Sequence, residues 1–260
     1  MAYDTLRLDY DAELAIVTLN RPDKRNAISG EMIAELIAAL REVEAGAARV
    51  LILTGAGKAF CSGMDLDALK AIAAQPQEAH LADSRRMGEL FRSLYEFSKP
   101  TVAAVNGPAL AGGCGLATLC DFTLAVPEAK LGYTEVRIGF IPAIVSVFLI
   151  RQAGEKVARE LLLSGRVFDA AEAHRLGLVS EIVPAEKLLD RARALAAQLV
   201  ANSPTSLART KRLLRAFGAG DLERELNLAM QENAAMRSTA DFREGVSAFL
   251  EKRVPKWQRP

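Results

Sequence analysis

Apolar and polar positions along the first hundred residues form blocks that predict strands and helices in alternation. Leu14 to Leu19 and Val50 to Leu53 are short apolar runs typical of buried strands. Apolar and polar residues alternate from Leu6 to Leu8, before a polar turn at Asp9 to Glu13. Between these runs, Ser29 can cap a helix. The apolar positions of that helix recur at helical spacing and are Ile33, Leu36, Ile37 and Leu40.

The same alternation continues through the middle of the chain. A helical stretch is predicted from about residue 66 to 97 with an interruption near Pro76, followed by a strand at Thr101 to Val105. A buried helix is expected to open at Leu116 to Cys120, and Phe122 to Val126 indicates a further strand. Strands that alternate with helices favour βαβ units and a parallel sheet, so we predict an α/β fold.

Beyond Pro142 the pattern becomes almost wholly helical, with glycines and prolines between successive helices. Helical segments that carry apolar stripes but form no domain of their own commonly pack against a partner subunit, which predicts an oligomer.

Composition narrows the possible functions. The net charge is +1, with 33 Lys and Arg against 32 Asp and Glu, so no basic surface for nucleic acid or membrane is indicated. The longest apolar run, residues 138 to 150, is too short to span a bilayer. The N-terminus lacks the apolar core of a secretory signal, and three cysteines without CxxC spacing suggest a reducing compartment. We therefore expect a cytoplasmic protein.

The turn from Asn106 to Leu116 contains little but small residues. Backbone N–H groups at the start of a helix can point at an oxygen that gains negative charge, and this is how an oxyanion hole is built. A tight turn in which a helix and a strand pack closely explains the same residues. The turn by itself leaves both interpretations open.

Several segments, in order along nearly the whole chain, resemble the crotonase superfamily, also called the enoyl-CoA hydratase/isomerase family. Each is weak alone, but the ordered set is specific. The matching segments are Leu19 to Ala27, Ala59 to Leu66, Lys99 to Gly107 with the glycine-rich turn, Cys120-Asp121, Gly132 to Gly139, Leu163 to Gly165, Ala173 to Val179, Ser203-Pro204 and Phe249 to Arg253.

The resemblance implies a spiral of ββα units that binds an acyl-coenzyme A thioester and assembles as a homotrimer or a dimer of trimers. It divides the chain into a core at residues 1–200, with the CoA site and active site, and a helical trimerisation region at residues 201–260. Coenzyme A is part of the substrate, so no separate cofactor is expected. No metal is expected either, since no His, Cys and Asp set has metal-ligand spacing.

The resemblance also assigns candidate catalytic groups. The backbone N–H groups of Met64 and Gly112 align with the oxyanion-hole donors, and a bulky replacement of Gly112 is expected to obstruct the thioester. Glu135 aligns with one of two glutamates that hold water in hydratases of the family. If Glu135 is buried against the apolar segment that follows it, its pKa should be raised, which suits a base that later returns the proton.

Candidate substrate-binding residues follow from the same alignment. They are Lys24 and Arg25 for the nucleotide phosphates, the loop residues Ala59, Phe60 and Ser62 for the adenine and pantetheine channel, and Lys252 for the 3′-phosphate bound in a neighbouring subunit. Ala143 to Val145 are expected to shape the acyl end of the site.

The chain departs from the hydratase pattern at Gly115, which stands where the other glutamate aligns. One carboxylate and an oxyanion hole are enough to move a double bond by carrying a proton from C2 to C4, so isomerisation is favoured. A hydratase with a relocated second acid, for which Glu89 is the candidate, and a non-catalytic acyl-CoA-binding scaffold are the alternatives.

Overall fold

The computed structural model describes residues 3–73, 75–218 and 221–258. Strands and helices alternate from the start, as predicted. The strands are β1 (Leu6–Asp11), β2 (Leu14–Leu19), β3 (Val50–Gly55), β4 (Thr101–Val105), β5 (Ala109–Leu110), β6 (Phe122–Ala125), β7 (Lys130–Gly132), β8 (Val167–Asp169) and β9 (Glu181–Ile182). The helices are α1 (Gly30–Ala45), α2 (Leu66–Ala73), α3 (Gln77–Glu96), α4 (Gly112–Leu119), α5 (Ala143–Ser164), α6 (Ala170–Arg175), α7 (Leu188–Val200), α8 (Pro204–Gly218), α9 (Leu222–Met236) and α10 (Ala240–Leu250).

The larger sheet has the order β1-β2-β3-β4-β6-β9. Its first pair is an antiparallel hairpin and the other neighbours run parallel. Every residue of β2 and β4 is buried, as expected for strands covered on both faces. The predicted cap of α1 is confirmed, because the Ser29 hydroxyl accepts a hydrogen bond from the Met32 N–H at 3.1 Å.

The smaller sheet, β5-β7-β8, positions the functional turns. β5 runs parallel to β7, with Ala109 opposite Leu131 and Leu110 opposite Gly132. The carboxyl ends of parallel strands meet at one edge of a sheet. The turn after β5 therefore begins beside the turn after β7, which leads to Glu135 in the short 3₁₀ helix Glu135–Ile138.

Helix α4 begins at Gly112, four residues before the predicted start. The prediction was wrong because a run of glycines indicates a turn by propensity, whereas here close packing requires them. A side chain at Gly113 would place its Cβ 2.3 Å from the Cys61 carbonyl oxygen. The glycines let the first turn of α4 lie directly against the neighbouring chain.

The region after Pro142 is less uniformly helical than predicted, because it contributes β8 and β9. These strands are only three and two residues long, and they pair with β7 and β6. Such short segments carry no period of their own, and their strand conformation comes from the long-range pairing.

The C-terminal helices pack onto the rest of the chain. Helix α9 lies against α3 and α5, and α10 lies against the 3₁₀ helix that carries Glu135. Residues 201–260 therefore contribute to the wall of the site, and the predicted boundary at residue 200 stays a prediction. None of the helices in the described ranges is long and apolar enough to cross a membrane.

Candidate active site

A cavity of about 530 Å³ lies between the loops that follow β2, β3, β5 and β7 and the C-terminal helices. It brings together the predicted groups at Lys24, Arg25, Ser62, Met64, Gly112 and Glu135. Its apolar wall includes Ala143, Ile144 and Val145, where the acyl end was expected. The cavity thus offers both charged and apolar lining residues to a ligand.

Two backbone N–H groups line this cavity. Within the described part of the chain, neither the Met64 N–H nor the Gly112 N–H has a hydrogen-bond acceptor, whereas their neighbours donate to backbone carbonyls: Asp65 to Ile28 at 2.9 Å and Ala111 to Gly132 at 2.7 Å. A pair of fixed, free donors is the arrangement that stabilises an oxyanion.

The turns that carry the two donors are packed against one another. Gly63 has φ +89°, and a Cβ there would lie 2.9 Å from the Cβ of Ala111 and 3.0 Å from the Leu110 carbonyl oxygen. Ala111 itself has φ 49° and ψ −125°, a strained conformation for a residue other than glycine. The absence of a side chain at Gly63 therefore sets the spacing of the donors at Met64 and Gly112.

At Gly112, by contrast, the only described atom that a Cβ would meet within 4 Å is Cδ1 of Ile28, at 3.4 Å. The protein therefore has room for a methyl group at this position, and the expectation that a larger group obstructs a thioester stays a prediction.

Asp65 holds the Met64 turn in place. Its carboxylate accepts a hydrogen bond from the Arg21 guanidinium at 2.8 Å and one from the Asp67 N–H at 3.0 Å, and Arg21 also donates to the Ala27 carbonyl. Burial alone would raise the pKa of Asp65, but these bonds lower it below its ordinary value. Asp65 is thus held ionised as a positioning residue.

Glu135 is buried at 8% exposure and lines the cavity. Within the described residues it makes no ion pair, and its Oε2 atom is buried without a hydrogen-bond partner. Burial raises the pKa of the carboxyl from its ordinary value of 4.5 to about 7, as the apolar segment after Glu135 predicted. A carboxyl with this pKa can take up and release a proton near neutral pH.

Apolar side chains fill the space beside Gly115, where the other glutamate of hydratases aligns. A Cβ at Gly115 would lie 2.6 Å from both Cε1 of Phe91 and Cγ1 of Val145. Both side chains are buried and line the cavity. A side chain therefore fits here only if Phe91 and Val145 shift.

Glu89 does not supply a relocated acid. Its side chain is 51% exposed, forms an ion pair with Arg41 at 2.8 Å and does not line the cavity. The prediction from its place on α3 was wrong, because the helix turns this position to solvent while Met87 and Phe91 face inward.

The predicted CoA-binding residues differ in whether they line the cavity. Lys24 and Arg25 are exposed and line the cavity, and a hydrogen bond to Asp67 at 3.0 Å raises the pKa of Lys24. Ala59 and Phe60 are buried in the core and do not line the cavity, so the prediction that they line the adenine and pantetheine channel is not supported by their positions. Lys252 is exposed and lies outside the lining of its own chain's cavity.

Sequence reasoning missed three residues of this site. Arg21 fixes Asp65, and Asn233 and Arg237 on the C-terminal side line the cavity. The last two continue the buried stripe of Leu222, Leu226 and Ala229 at helical spacing. Polar residues on the apolar face of a helix were the signal that could have found them.

Comparison with known proteins supports the resemblance. The family model for enoyl-CoA hydratase/isomerase matches residues 9–260. A Thermus thermophilus protein named as a candidate enoyl-CoA hydratase is 49% identical over 245 residues, which cover 94% of this chain and 97% of the relative. The 2,3-dehydroadipyl-CoA hydratase of Escherichia coli K12 is 36% identical over 248 residues, or 94% of each chain. The crystal structure of an enoyl-CoA hydratase/isomerase from Xanthobacter autotrophicus superimposes with a TM-score of 0.89 at 32% identity, with full coverage of both chains.

Proposed function

The chain is an enzyme of the enoyl-CoA hydratase/isomerase family, and we propose that it transfers a proton at C2 of an enoyl-CoA thioester with Glu135 as its single acid–base group. The favoured reaction moves the double bond of a 3-enoyl-CoA to the 2,3 position. One observation carries this proposal: the buried carboxyl of Glu135, which makes no ion pair with any described residue, lines the cavity, while Phe91 and Val145 occupy the space of a second one.

In the proposed reaction the thioester carbonyl oxygen accepts hydrogen bonds from the N–H groups of Met64 and Gly112. Ionised Glu135 removes a proton from C2, and the negative charge that moves to the carbonyl oxygen is stabilised by the two donors. The same carboxyl then returns the proton to C4. A pKa of about 7 suits both steps, because the ionised and protonated forms are similarly populated near neutral pH.

Substrate binding is proposed to use both ends of the cavity. Lys24 and Arg25 line the cavity, and their positive charges suit the phosphates of coenzyme A, which we propose they contact. The 3′-phosphate contact from Lys252 of a neighbouring subunit, the assembly as a trimer or dimer of trimers and the cytoplasmic location remain predictions.

Hydration of a 2-enoyl-CoA is the second candidate, because the curated relatives are named hydratases. In that reaction Glu135 would have to activate the water and also deliver the proton to C2, because no second carboxylate stands at position 115. A non-catalytic scaffold is disfavoured by the intact Glu135 and by relatives named as enzymes.

Product analysis in heavy-oxygen water separates the two reactions. We expect wild-type enzyme to convert a 3-enoyl-CoA to the 2-enoyl-CoA without oxygen uptake, and the Glu135→Gln variant to lose about a thousandfold in kcat. Rapid incorporation of solvent oxygen into a 2-enoyl-CoA, with no conversion of the 3-enoyl-CoA, would establish hydration instead.

A further inference from the structure

The carboxyl of Glu135 is held in place through its own backbone. Among the described residues it makes no ion pair, and the hydrogen bond that lowers its pKa comes from its own backbone N–H. The side chain therefore follows the 3₁₀ helix Glu135–Ile138, and an element that fixes this backbone also fixes the carboxyl.

Helix α10 lies directly on that backbone. A Cβ at Gly245 would lie 2.1 Å from the Ile138 carbonyl oxygen. A Cβ at Gly139, which has φ +65°, would lie 2.3 Å from the Asp241 carbonyl oxygen. Because Asp241 and Gly245 are four residues apart, they share one face of α10. The helix thus meets the end of the 3₁₀ helix at two points, and each contact is possible only because a glycine has no side chain.

Side chains of α10 extend this contact toward the oxyanion turn. Phe242 and Val246 are buried in a small hydrophobic cluster apart from the main core. The cluster also contains Leu69 of α2 and Phe140, whose ring centre lies 5.1 Å from that of Phe242. The side chain of Met64 packs against it. One cluster therefore joins α10 to the chain just after the 3₁₀ helix and to a residue that supplies an oxyanion donor.

We propose that Gly245 is a positioning residue for Glu135, because it seats α10 on the 3₁₀ helix and so fixes the carboxyl relative to the oxyanion donors. The inference rests on the proposed function, in which Glu135 moves the proton. It gives α10 a role in catalysis within its own chain, beyond the wall that Phe249 and Leu250 contribute to the cavity.

The surroundings of Glu135 make its pKa a measure of its position. Helices α5 and α10 pack against the 3₁₀ helix. The charged residues of α10, of the last two turns of α5 and of the 3₁₀ helix beyond Glu135 are exposed or ion-paired, and are Asp241, Arg243, Glu244, Arg159, Glu160 and Arg137. The charge of Glu135 raises the pKa of Cys114 and Tyr133, but both are neutral at pH 7 because burial raises their pKa further. Burial thus dominates the pKa of Glu135, and a displaced carboxyl that reaches water should titrate below pH 7.

The Gly245→Ala variant tests the positioning role. Its methyl group would overlap the Ile138 carbonyl, and backbone atoms cannot rotate away as a side chain can, so α10 and the 3₁₀ helix must separate. We expect kcat for a 3-enoyl-CoA to fall about a hundredfold, because a displacement of about 1 Å is enough for such a loss. The rise in kcat/KM, centred near pH 7 in the wild type, should move toward pH 4.5.

Ala248→Gly is the matched control for a loss of stability. Ala248 is buried on the same helix, and glycine lowers the helix propensity there without adding an atom against the 3₁₀ helix. This variant should melt at a lower temperature than the wild type but keep the kcat and the pH profile of the wild type.

Phe242→Leu tests the same contact by changing one side chain. Leucine keeps the position apolar but loses the ring contact with Phe140, so the variant is expected to fold. Its kcat and its pH profile should change in the same direction as those of Gly245→Ala, by smaller amounts. It replaces Gly245→Ala as the test if thermal melting shows that Gly245→Ala does not fold.

A wild-type kcat and an unmoved pH profile in the folded test variant would overturn the positioning role and leave the proposed reaction intact. The same loss and the same shift in Ala248→Gly would also overturn it, because any weakening of α10 would then have this effect. A wild-type enzyme that converts no 3-enoyl-CoA would contradict the proposed function together with the inference.

Discussion

Glu135 shows how the environment of one side chain determines its chemistry. At the start of a short 3₁₀ helix on the surface, a glutamate would be ionised and would interact with the helix dipole. Here the carboxyl is buried, makes no ion pair among the described residues and has a pKa near 7. Burial thus converts an ordinary acidic residue into a group that can exchange a proton with a substrate.

The pH dependence of catalysis should reflect this pKa. As a base, Glu135 must be ionised, so kcat/KM for a 3-enoyl-CoA should rise about tenfold per pH unit below pH 7 and level off above it. Steady-state rates across this pH range measure the rise in kcat/KM. The residual activity of Glu135→Gln should show no such rise. A rise near the ordinary glutamate pKa of 4.5 would contradict the burial argument.

The free energy of unfolding should change with pH in the direction opposite to kcat/KM. The pKa of Glu135 is about 7 when folded and near 4.5 when unfolded, so between these values the folded state binds the additional proton. The free energy of unfolding of the wild type should therefore fall as pH rises through this window and stay low above it, by roughly 3 kcal/mol at about 1.4 kcal/mol per unit. Glu135→Gln should lack this loss in urea unfolding at matched protein concentration, and parallel curves for the two proteins would contradict the prediction.

At the scale of elements, the site depends on two turns that touch through a glycine. Gly63 lets the turn before Met64 approach Ala111, and Ala111 carries a strained backbone directly before Gly112. The two turns pack against each other, so the position of each N–H donor depends on both turns.

Gly63→Ala should therefore separate the donors. The added methyl group would meet Ala111 at 2.9 Å, and the φ of +89° is unfavourable for alanine. We expect kcat to fall about a hundredfold with a smaller change in KM, because the donors act mainly on the oxyanion. Gly30→Ala is the control and should remain active, because an added Cβ at Gly30 would meet no atom of the described residues within 4 Å and the φ there is ordinary. Full activity in Gly63→Ala would show that the packed turns do not set the donor geometry.

The sequence predicted long or strongly patterned elements well and short ones poorly. The strand at Thr101–Val105 and the break at Pro76 agree with the structure, because each has a local cause in the chain. β8 and β9 are too short to carry a period, and their pairing partners are distant in sequence. The packing of Phe91 and Val145 over Gly115 and the outward direction of Glu89 likewise depend on tertiary contacts, which one sequence does not contain.

At the scale of the whole molecule, the chain leaves apolar side chains exposed on one C-terminal helix. Leu213, Leu214 and Phe217 on α8 are 54, 63 and 77% exposed. Large apolar side chains clustered on a surface commonly mark an interface between subunits. This cluster supports the prediction that residues 201–260 assemble the oligomer.

Replacing Phe217 by Asp should weaken that assembly. Light scattering coupled to size-exclusion chromatography is expected to give three or six subunits for the wild type and a smaller species for Phe217→Asp, since a charge in an apolar interface is costly. Arg209→Asp, at an exposed polar position of the same helix, serves as the control and should not dissociate. A wild-type monomer at micromolar concentration would contradict the prediction.

The central claim is that one buried carboxyl carries a proton from C2 to C4. The most direct measurement uses a 3-enoyl-CoA deuterated at C2 and follows the label in the 2-enoyl-CoA product formed in ordinary water. A single, poorly solvated Glu135 predicts that part of the deuterium appears at C4, because the carboxyl holds it between the two steps. A product with only solvent hydrogen at C4 would mean that the proton taken from C2 is not the one returned to C4, and would contradict the claim that the carboxyl carries it between the two carbons.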